Sequence, residues 1–151
     1  MKIIDQHKPI NIVGIEIKTR NDNGAAFRDI PAHWRKFQEQ SILDKIPNKV
    51  SGETYGVYTR FENEGRGSDG AYSFIIGARV ETLDAIPEGF VSAVIPKSKY
   101  QVFESATGHP EKVGEKWREI WGRVFERKRT FVLDYELYRE SGEIEIFIGV
   151  L

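Results

Sequence analysis

Glu136 is the residue whose type and position are best suited to chemistry on a ligand. It lies in the segment 131–138, whose aromatic and branched residues are typical of a β-strand. Side chains alternate between the two faces of a strand, so Glu136 shares a face with Tyr138. A buried carboxylate without a fixed partner is costly, and proteins keep such groups where a ligand or a proton supplies the partner. We therefore interpret Glu136 as a candidate ligand residue, provided that the fold covers this face.

The next segment, 144–150, is predicted to form a hairpin with this strand, because residues 140–143 are typical of a turn. Alternation places the isoleucines of the second strand on a core face and Phe147 on the opposite one. We therefore predict that Glu136, Tyr138 and Phe147 share one surface. The other face of the first strand, predicted to pack against a helix, consists of Phe131, Leu133, Tyr135 and Leu137.

The chain also repeats itself in outline. The pair Trp34-Arg35 recurs as Trp117-Arg118, the segment 55–58 resembles 135–138, and 75–77 resembles 147–149, all in the same order. In this alignment Glu136 takes the place of Gly56. A duplication of this kind predicts a pseudo-two-fold axis with a cleft between the halves, and Glu136 is the residue that breaks the symmetry.

The predicted elements give each half the order strand, helix, strand, strand. Hydrophobic periodicity and turn residues place strands at 11–18, 53–62, 71–80, 90–95, 100–104, 130–138 and 144–150, and helices at 27–40 and 111–127. The predicted fold class is α+β, with antiparallel sheets packed on helices and a ligand cleft between the halves. We expect a single domain over 1–151, with one half at about 1–82 and the other at about 90–151.

Composition excludes several classes of function. The net charge of −1 provides no field to attract nucleic acid, and the absence of cysteine removes disulfides and thiolate chemistry. His7, His33 and His109 lack the spacing of metal ligands, with His33 expected at the surface or the edge of the core. We predict no metal, no cofactor and no catalytic residue. Without a signal segment or a membrane span, the expected location is cytoplasmic.

Several motifs resemble those of GyrI-like effector-binding domains, which sense ligands for AraC-type and MerR-type multidrug regulators and also occur alone. The resemblance covers essentially the whole chain. The matching segments are Tyr55–Tyr58, Ile75–Val80, Ile86–Phe90, Val94–Phe103, Trp117–Trp121, Tyr135–Tyr138 and Ile144–Ile148.

The resemblance implies two strand–helix–strand–strand modules with a ligand cleft between them. Glu136 matches a glutamate that sits among aromatic residues in family members that bind lipophilic cations. The full set of predicted ligand-binding residues is Glu136, Trp117, Trp121, Phe147, Tyr138, Tyr72 and Phe74. The chain departs from the family pattern in two ways. The closing motif reads Ile148-Gly149 where the family usually has Ile-Pro, and no helix-turn-helix segment accompanies the domain.

The resulting prediction is a stand-alone domain that binds hydrophobic, cationic organic molecules, with no direct nucleic-acid or membrane binding. Two alternatives stay open. In the first, the protein hydrolyses small electrophiles, with Glu136 as base and Tyr138 or Tyr55 as proton donor. In the second, it acts on a protein partner, such as gyrase or a separate regulator. A basic cluster would then dock the partner, and it comprises Lys112, Lys116, Arg118, Arg123, Arg127, Lys128 and Arg129.

Overall fold

The eight strands found in residues 2–151 join one antiparallel sheet, with the helices on one of its faces. The computed structural model describes residues 2–151. The strands are β1 (Lys2–Gln6), β2 (Ile10–Arg20), β3 (Thr54–Thr59), β4 (Ala71–Arg79), β5 (Val91–Ile95), β6 (Ser98–Ser105), β7 (Arg129–Tyr138) and β8 (Ile144–Val150). The helices are α1 (Ala25–Glu39), α2 (Ile42–Lys45) and α3 (Val113–Trp121), with 3₁₀ turns at Asp22–Gly24 and Pro110–Lys112. The predicted α+β class is confirmed.

The sheet order shows the duplication directly. The strands lie in the order β1-β6-β8-β7-β3-β4-β2-β5, so β7 and β3 meet at the centre and equivalent strands follow outward on each side. At the centre Gly56 pairs with Glu136, between the pairs Tyr55–Leu137 and Val57–Tyr135. These two flanking pairs are equivalent under the duplication. The pseudo-two-fold axis therefore passes through the Gly56–Glu136 pair.

The two halves of the sheet exchange their edge strands. β1 pairs with β6 in the second half, and β5 pairs with β2 in the first half. The segments 1–82 and 90–151 therefore each place their first strand at the edge of the other half of the sheet. Alternation along a strand shows which face is apolar but not which neighbour the strand pairs with, so the exchange was hidden in the sequence.

The sheet is buried on both faces. On one face α1 covers Ile15 and Ile76, while α3 covers Phe103 and Ile146. On the other face no described helix packs, yet Val57 is fully buried in a cluster to which all eight strands contribute. The sheet must therefore curl so that its own strands cover this face.

A single hydrogen bond shows the curl. The Tyr135 hydroxyl on β7 donates to the Gln6 side-chain oxygen on β1 at 2.8 Å, although β8 and β6 lie between these strands. In a flat sheet, three strand spacings would place β1 about 14 Å from β7. The prediction that Leu133, Tyr135 and Leu137 face a helix is therefore wrong. Their face lies in the helix-free core, and the helices cover the face that carries Glu136.

Helix α3 is shorter than its apolar stripe predicts. It ends at Trp121, before Gly122, whereas the stripe indicates a helix to residue 127. Val124 is almost fully exposed, and Phe125 packs its ring against Phe103 from outside the helix. Glycine has a low helix propensity, and the helix ends before Gly122 despite the apolar spacing beyond it. Among the described helices none is long and apolar enough to span a membrane.

A second buried carboxylate explains why Gly149 replaces the usual proline. Asp134 is buried and accepts hydrogen bonds from the Arg129 guanidinium and from the Gly149 backbone N–H, both at 2.9 Å. Proline has no N–H to donate. A side chain at position 149 would also lie 2.6 Å from the Thr130 hydroxyl. The departure therefore supports Asp134, and it lies away from Glu136 rather than at the rim of a cleft.

The variant Gly149→Pro is expected to lower the free energy of unfolding by at least about 2 kcal/mol. It leaves a buried carboxylate short of a donor and places ring atoms against Thr130. Urea unfolding measures the loss. The control is Gly114→Ala, whose added carbon meets open space on α3 and should leave stability equal or slightly higher. Equal stability of Gly149→Pro and wild type would contradict this account of Asp134.

Candidate functional site

The carboxylate of Glu136 lies at the centre of the sheet, on the face that the helices cover. Only 1 % of the residue is exposed. Its cross-strand neighbour is Gly56, and a side-chain carbon there would lie 3.0 Å from Glu136 Oε1 and 3.1 Å from the Phe74 ring. Gly56 therefore leaves the space that the carboxylate occupies.

Three neutral groups hold this carboxylate. The Tyr58 hydroxyl and the Trp117 indole N–H both donate to Glu136 Oε2 at 2.6 Å, and the Tyr138 hydroxyl donates to Oε1 at 2.8 Å. Burial raises the pKa of Glu136, while the three hydrogen bonds oppose that rise. Within residues 2–151, no cation is among the groups that shift this pKa. The described part of the chain thus supplies this carboxylate with hydrogen bonds but with no counter-charge.

The aromatic side chains around Glu136 follow the pseudo-symmetry. Tyr58 packs edge-on against Trp117 with ring centroids 5.1 Å apart, and Tyr138 packs edge-on against Trp34 at 5.0 Å. Since Tyr58 is equivalent to Tyr138 and Trp34 to Trp117, each tyrosine contacts the tryptophan of the other half. We call these four residues the aromatic cage. Edge-to-face pairs of this kind contribute about 0.5–1.5 kcal/mol beyond the area they bury.

A second ring of aromatic residues backs the cage. Phe74 lies 4.6 Å from the Tyr58 ring, and Tyr72 lies 6.0 Å from it. Trp121 lies 6.3 Å from Trp117 and is about half exposed. Burial is the main cause of the rise in the pKa of Tyr72, and the charge of Glu136 adds to it. These three predicted residues therefore lie in the surroundings of Glu136.

Phe147 does not lie beside Glu136, and this prediction is wrong. In the hairpin Glu136 pairs with Ile146, so Phe147 pairs with Tyr135 on the opposite face. There the two rings stack with centroids 4.4 Å apart. Tyr55 also belongs to this helix-free core, so it cannot assist Glu136 as a proton donor. Alternation holds along each strand, and the pairing of Glu136 with Ile146 decides which faces of the two strands coincide.

Sequence reasoning missed the first half's share of the cage. Tyr58 and Trp34 are the counterparts of Tyr138 and Trp117, both of which were predicted. The duplication itself was the signal that could have identified them.

Two of the three histidines have partners within the chain. His33 is buried on α1, with Nε2 2.9 Å from the Ile15 carbonyl oxygen, so its expected place at the surface or core edge is wrong. Burial lowers the pKa of His33. His109 is exposed beside Glu111. The described part of the chain holds no group of three potential metal ligands.

The predicted basic cluster is largely engaged within the chain. Lys116 and Arg123 both contact Glu119, and Arg129 is held by Asp134. The Arg118 guanidinium lies 5.2 Å from the centroid of the Phe27 ring, which links α3 to the start of α1. These contacts tie the helix face to its own fold, and a docking role for it stays a prediction.

The chain is similar to a family of effector binding proteins and to a curated bacterial protein. Residues 3–150 match the family model described as Cass2, integron-associated effector binding protein. A curated relative, "Putative transcriptional regulator protein YobU" of Bacillus subtilis (strain 168), is 29% identical over 119 residues, which cover 78% of this chain and 72% of that protein.

Two solved structures share the fold. The integron cassette protein VCH_CASS2 of Vibrio cholerae has a TM-score of 0.79 at 24% identity, and covers 99% of this chain and 95% of its own. The structure of SAV2435 bound to tetraphenylphosphonium has a TM-score of 0.77 at 20% identity. The match covers 99% of this chain and 93% of SAV2435.

Glu136→Gln is expected to change how stability depends on pH. Because the folded-state pKa of Glu136 is raised above 4.5, the folded protein retains a proton at pH values where the unfolded chain has released it. The stability of wild type relative to Glu136→Gln should therefore fall as pH rises from about 4.5. Urea unfolding of both proteins between about pH 4 and pH 8 measures this difference. The raised pKa of Asp134 is common to both and cancels. A difference that stays constant over the range would contradict the argument.

Proposed function

Because this chain belongs to the integron-associated effector binding protein family, we propose that it binds hydrophobic organic cations as effectors, with Glu136 as the charge-recognising residue. The observation that carries the proposal is a buried carboxylate whose three hydrogen-bond donors are all neutral. Removing such a charge from water costs several kcal/mol in effective terms. A cation that enters the cage supplies the missing counter-charge and recovers part of that cost.

The surroundings of Glu136 suit a cation of one particular kind. A delocalised organic cation holds its water weakly, so it loses little on entering an aromatic site. Each ring face that it contacts contributes about 0.5–2 kcal/mol through cation–π attraction. Trp34, Trp117, Tyr58 and Tyr138 provide such faces on both sides of Glu136. The neighbour bound to tetraphenylphosphonium, a lipophilic cation, supports this class of ligand.

Binding requires the cage to open, because its rings fill the space around Glu136 in the structure. The helices that carry Trp34 and Trp117 are linked at one end through Arg118 and Phe27. A ligand therefore displaces side chains that pack between α1 and α3, whereas Glu136 itself stays on the rigid centre of the sheet. Aromatic walls that rearrange in this way accept ligands of several shapes, and the fixed charge selects cations among them.

Tryptophan fluorescence tests the proposal, since Trp117 and Trp34 belong to the cage. Tetraphenylphosphonium should quench wild-type fluorescence with saturation, and Glu136→Gln should weaken its binding by at least about tenfold. Neutral triphenylphosphine oxide should bind more weakly to wild type and show no dependence on the substitution. The control variant is Glu104→Gln, which removes an exposed carboxylate from β6.

Either of two results would contradict the proposal. The first is equal binding of the cation to wild type and Glu136→Gln, with both proteins folded. The second is a preference for the neutral compound.

The affinity for the cation is also expected to fall in mild acid. A proton and the ligand compete for the Glu136 carboxylate, whose pKa lies above 4.5. Below the folded-state pKa, each pH unit should cost up to about tenfold in affinity. The titratable groups that face Glu136 are the hydroxyls of Tyr58, Tyr138 and Tyr72, which stay protonated because burial raises their pKa values. Titrations between about pH 5 and pH 8 measure the effect, and the neutral probe should show none.

A further inference from the structure

A cavity of about 390 Å³ lies at the end of α3, beside Trp121 of the second aromatic ring. It is bounded by the residues that precede α1, by the last residue of α3 and by the loop before β4. Its lining consists of Arg20, Asn21, Asp22, Ser68, Asp69, Gly70 and Trp121. This volume falls within the range of small-molecule sites.

Two chains of contacts connect this cavity to Glu136. Trp121 lines the cavity and contacts Trp117, which donates to Glu136. Asn21 lines it from the other side and accepts a 2.6 Å hydrogen bond from the Tyr72 hydroxyl. The Tyr72 ring lies beside the Tyr58 ring. Aromatic side chains of the cage and its second ring therefore lie between the cavity and the carboxylate.

The charge of the cavity favours a cation. Asp22 is paired with Arg20 at 2.6 Å, which leaves the Asp69 carboxylate as the charge beyond that pair. The exposed indole of Trp121 adds an aromatic face next to it. A carboxylate beside an indole repeats, in exposed form, the combination found at Glu136.

We propose that this cavity binds the second positive end of an elongated, bis-cationic aromatic ligand whose first end lies at Glu136. This inference rests on the proposed function, since it adds an outer subsite to the same ligand site. Its consequence is a preference for ligands with two charged aromatic ends over ligands with one.

The contacts of Trp117 set the length of such a ligand. The Trp117 indole nitrogen lies 2.6 Å from Glu136 Oε2, and the Trp117 ring centroid lies 6.3 Å from that of Trp121, which lines the cavity. A flexible polymethylene linker between two quinolinium rings spans these two contacts.

The test compares a bis-quinolinium of that length with the matching N-alkyl quinolinium, which carries one ring and one charge. Fluorescence titration of wild type should give the bis-cation an affinity about tenfold higher, beyond the twofold expected from its two equivalent ends. Asp69→Asn should reduce the affinity for the bis-cation by about two- to fivefold, and Asp69→Lys should abolish its advantage. Neither substitution should change the affinity for the mono-cation. The control is Asp44→Asn, an exposed aspartate on α2 outside the cavity.

The outcomes separate the two proposals. If both ligands bind equally and both weaken with Glu136→Gln, the outer subsite is refuted while the cation site stands. The subsite is also refuted if the advantage of the bis-cation survives in Asp69→Lys. If the mono-cation fails to bind, or binds Glu136→Gln as well as wild type, the proposed function fails first.

Discussion

The burial of one carboxylate without a counter-charge is the constraint on which the rest of this structure depends. Moving a carboxylate from water into a protein interior costs several kcal/mol, and neutral hydrogen bonds recover only part of it. The chain meets this cost with donors from three elements, β3, β7 and α3, which converge on Glu136. Each element must therefore hold its position for the carboxylate to stay satisfied. A protein that maintains this arrangement keeps an attraction for positive charge at its centre.

Symmetry and one departure from it, at Glu136, together create the site. Equivalent strands β3 and β7 pair at the pseudo-two-fold axis, where the two halves contribute Gly56 and Glu136. Two carboxylates at this point would face each other across one strand spacing in a medium of low dielectric constant, and they could not both be ionised. A glycine on one side removes the second charge and provides the space for the first. The tyrosines and tryptophans, which carry no charge, keep the symmetry and surround Glu136 from both sides.

The curled sheet separates a core built from strands alone from the face that the helices cover. On the helix-free face, strands from both halves pack on one another, and Tyr135 and Phe147 stack deep in that cluster. This core does not depend on the space between α1 and α3. On the helix face, that space is filled by side chains of the cage. If the proposed ligand displaces those rings, the backbone pairing of β3 with β7 keeps Glu136 in place.

The sequence by itself determined the α+β class, the duplication, and Glu136 as the residue that breaks it, because periodicity and internal repeats are local or one-dimensional patterns. Tertiary structure decided what depends on pairing and curvature. The register of β7 with β8 moved Phe147 to the opposite face, since a shift of one residue reverses every side chain in a strand. The curl buried both faces of β7, so polarity did not indicate which one the helices cover. Only the folded sheet brought Tyr58 of one half and Trp117 of the other onto the same carboxylate oxygen, because no spacing along the chain encodes a contact between elements that meet in space.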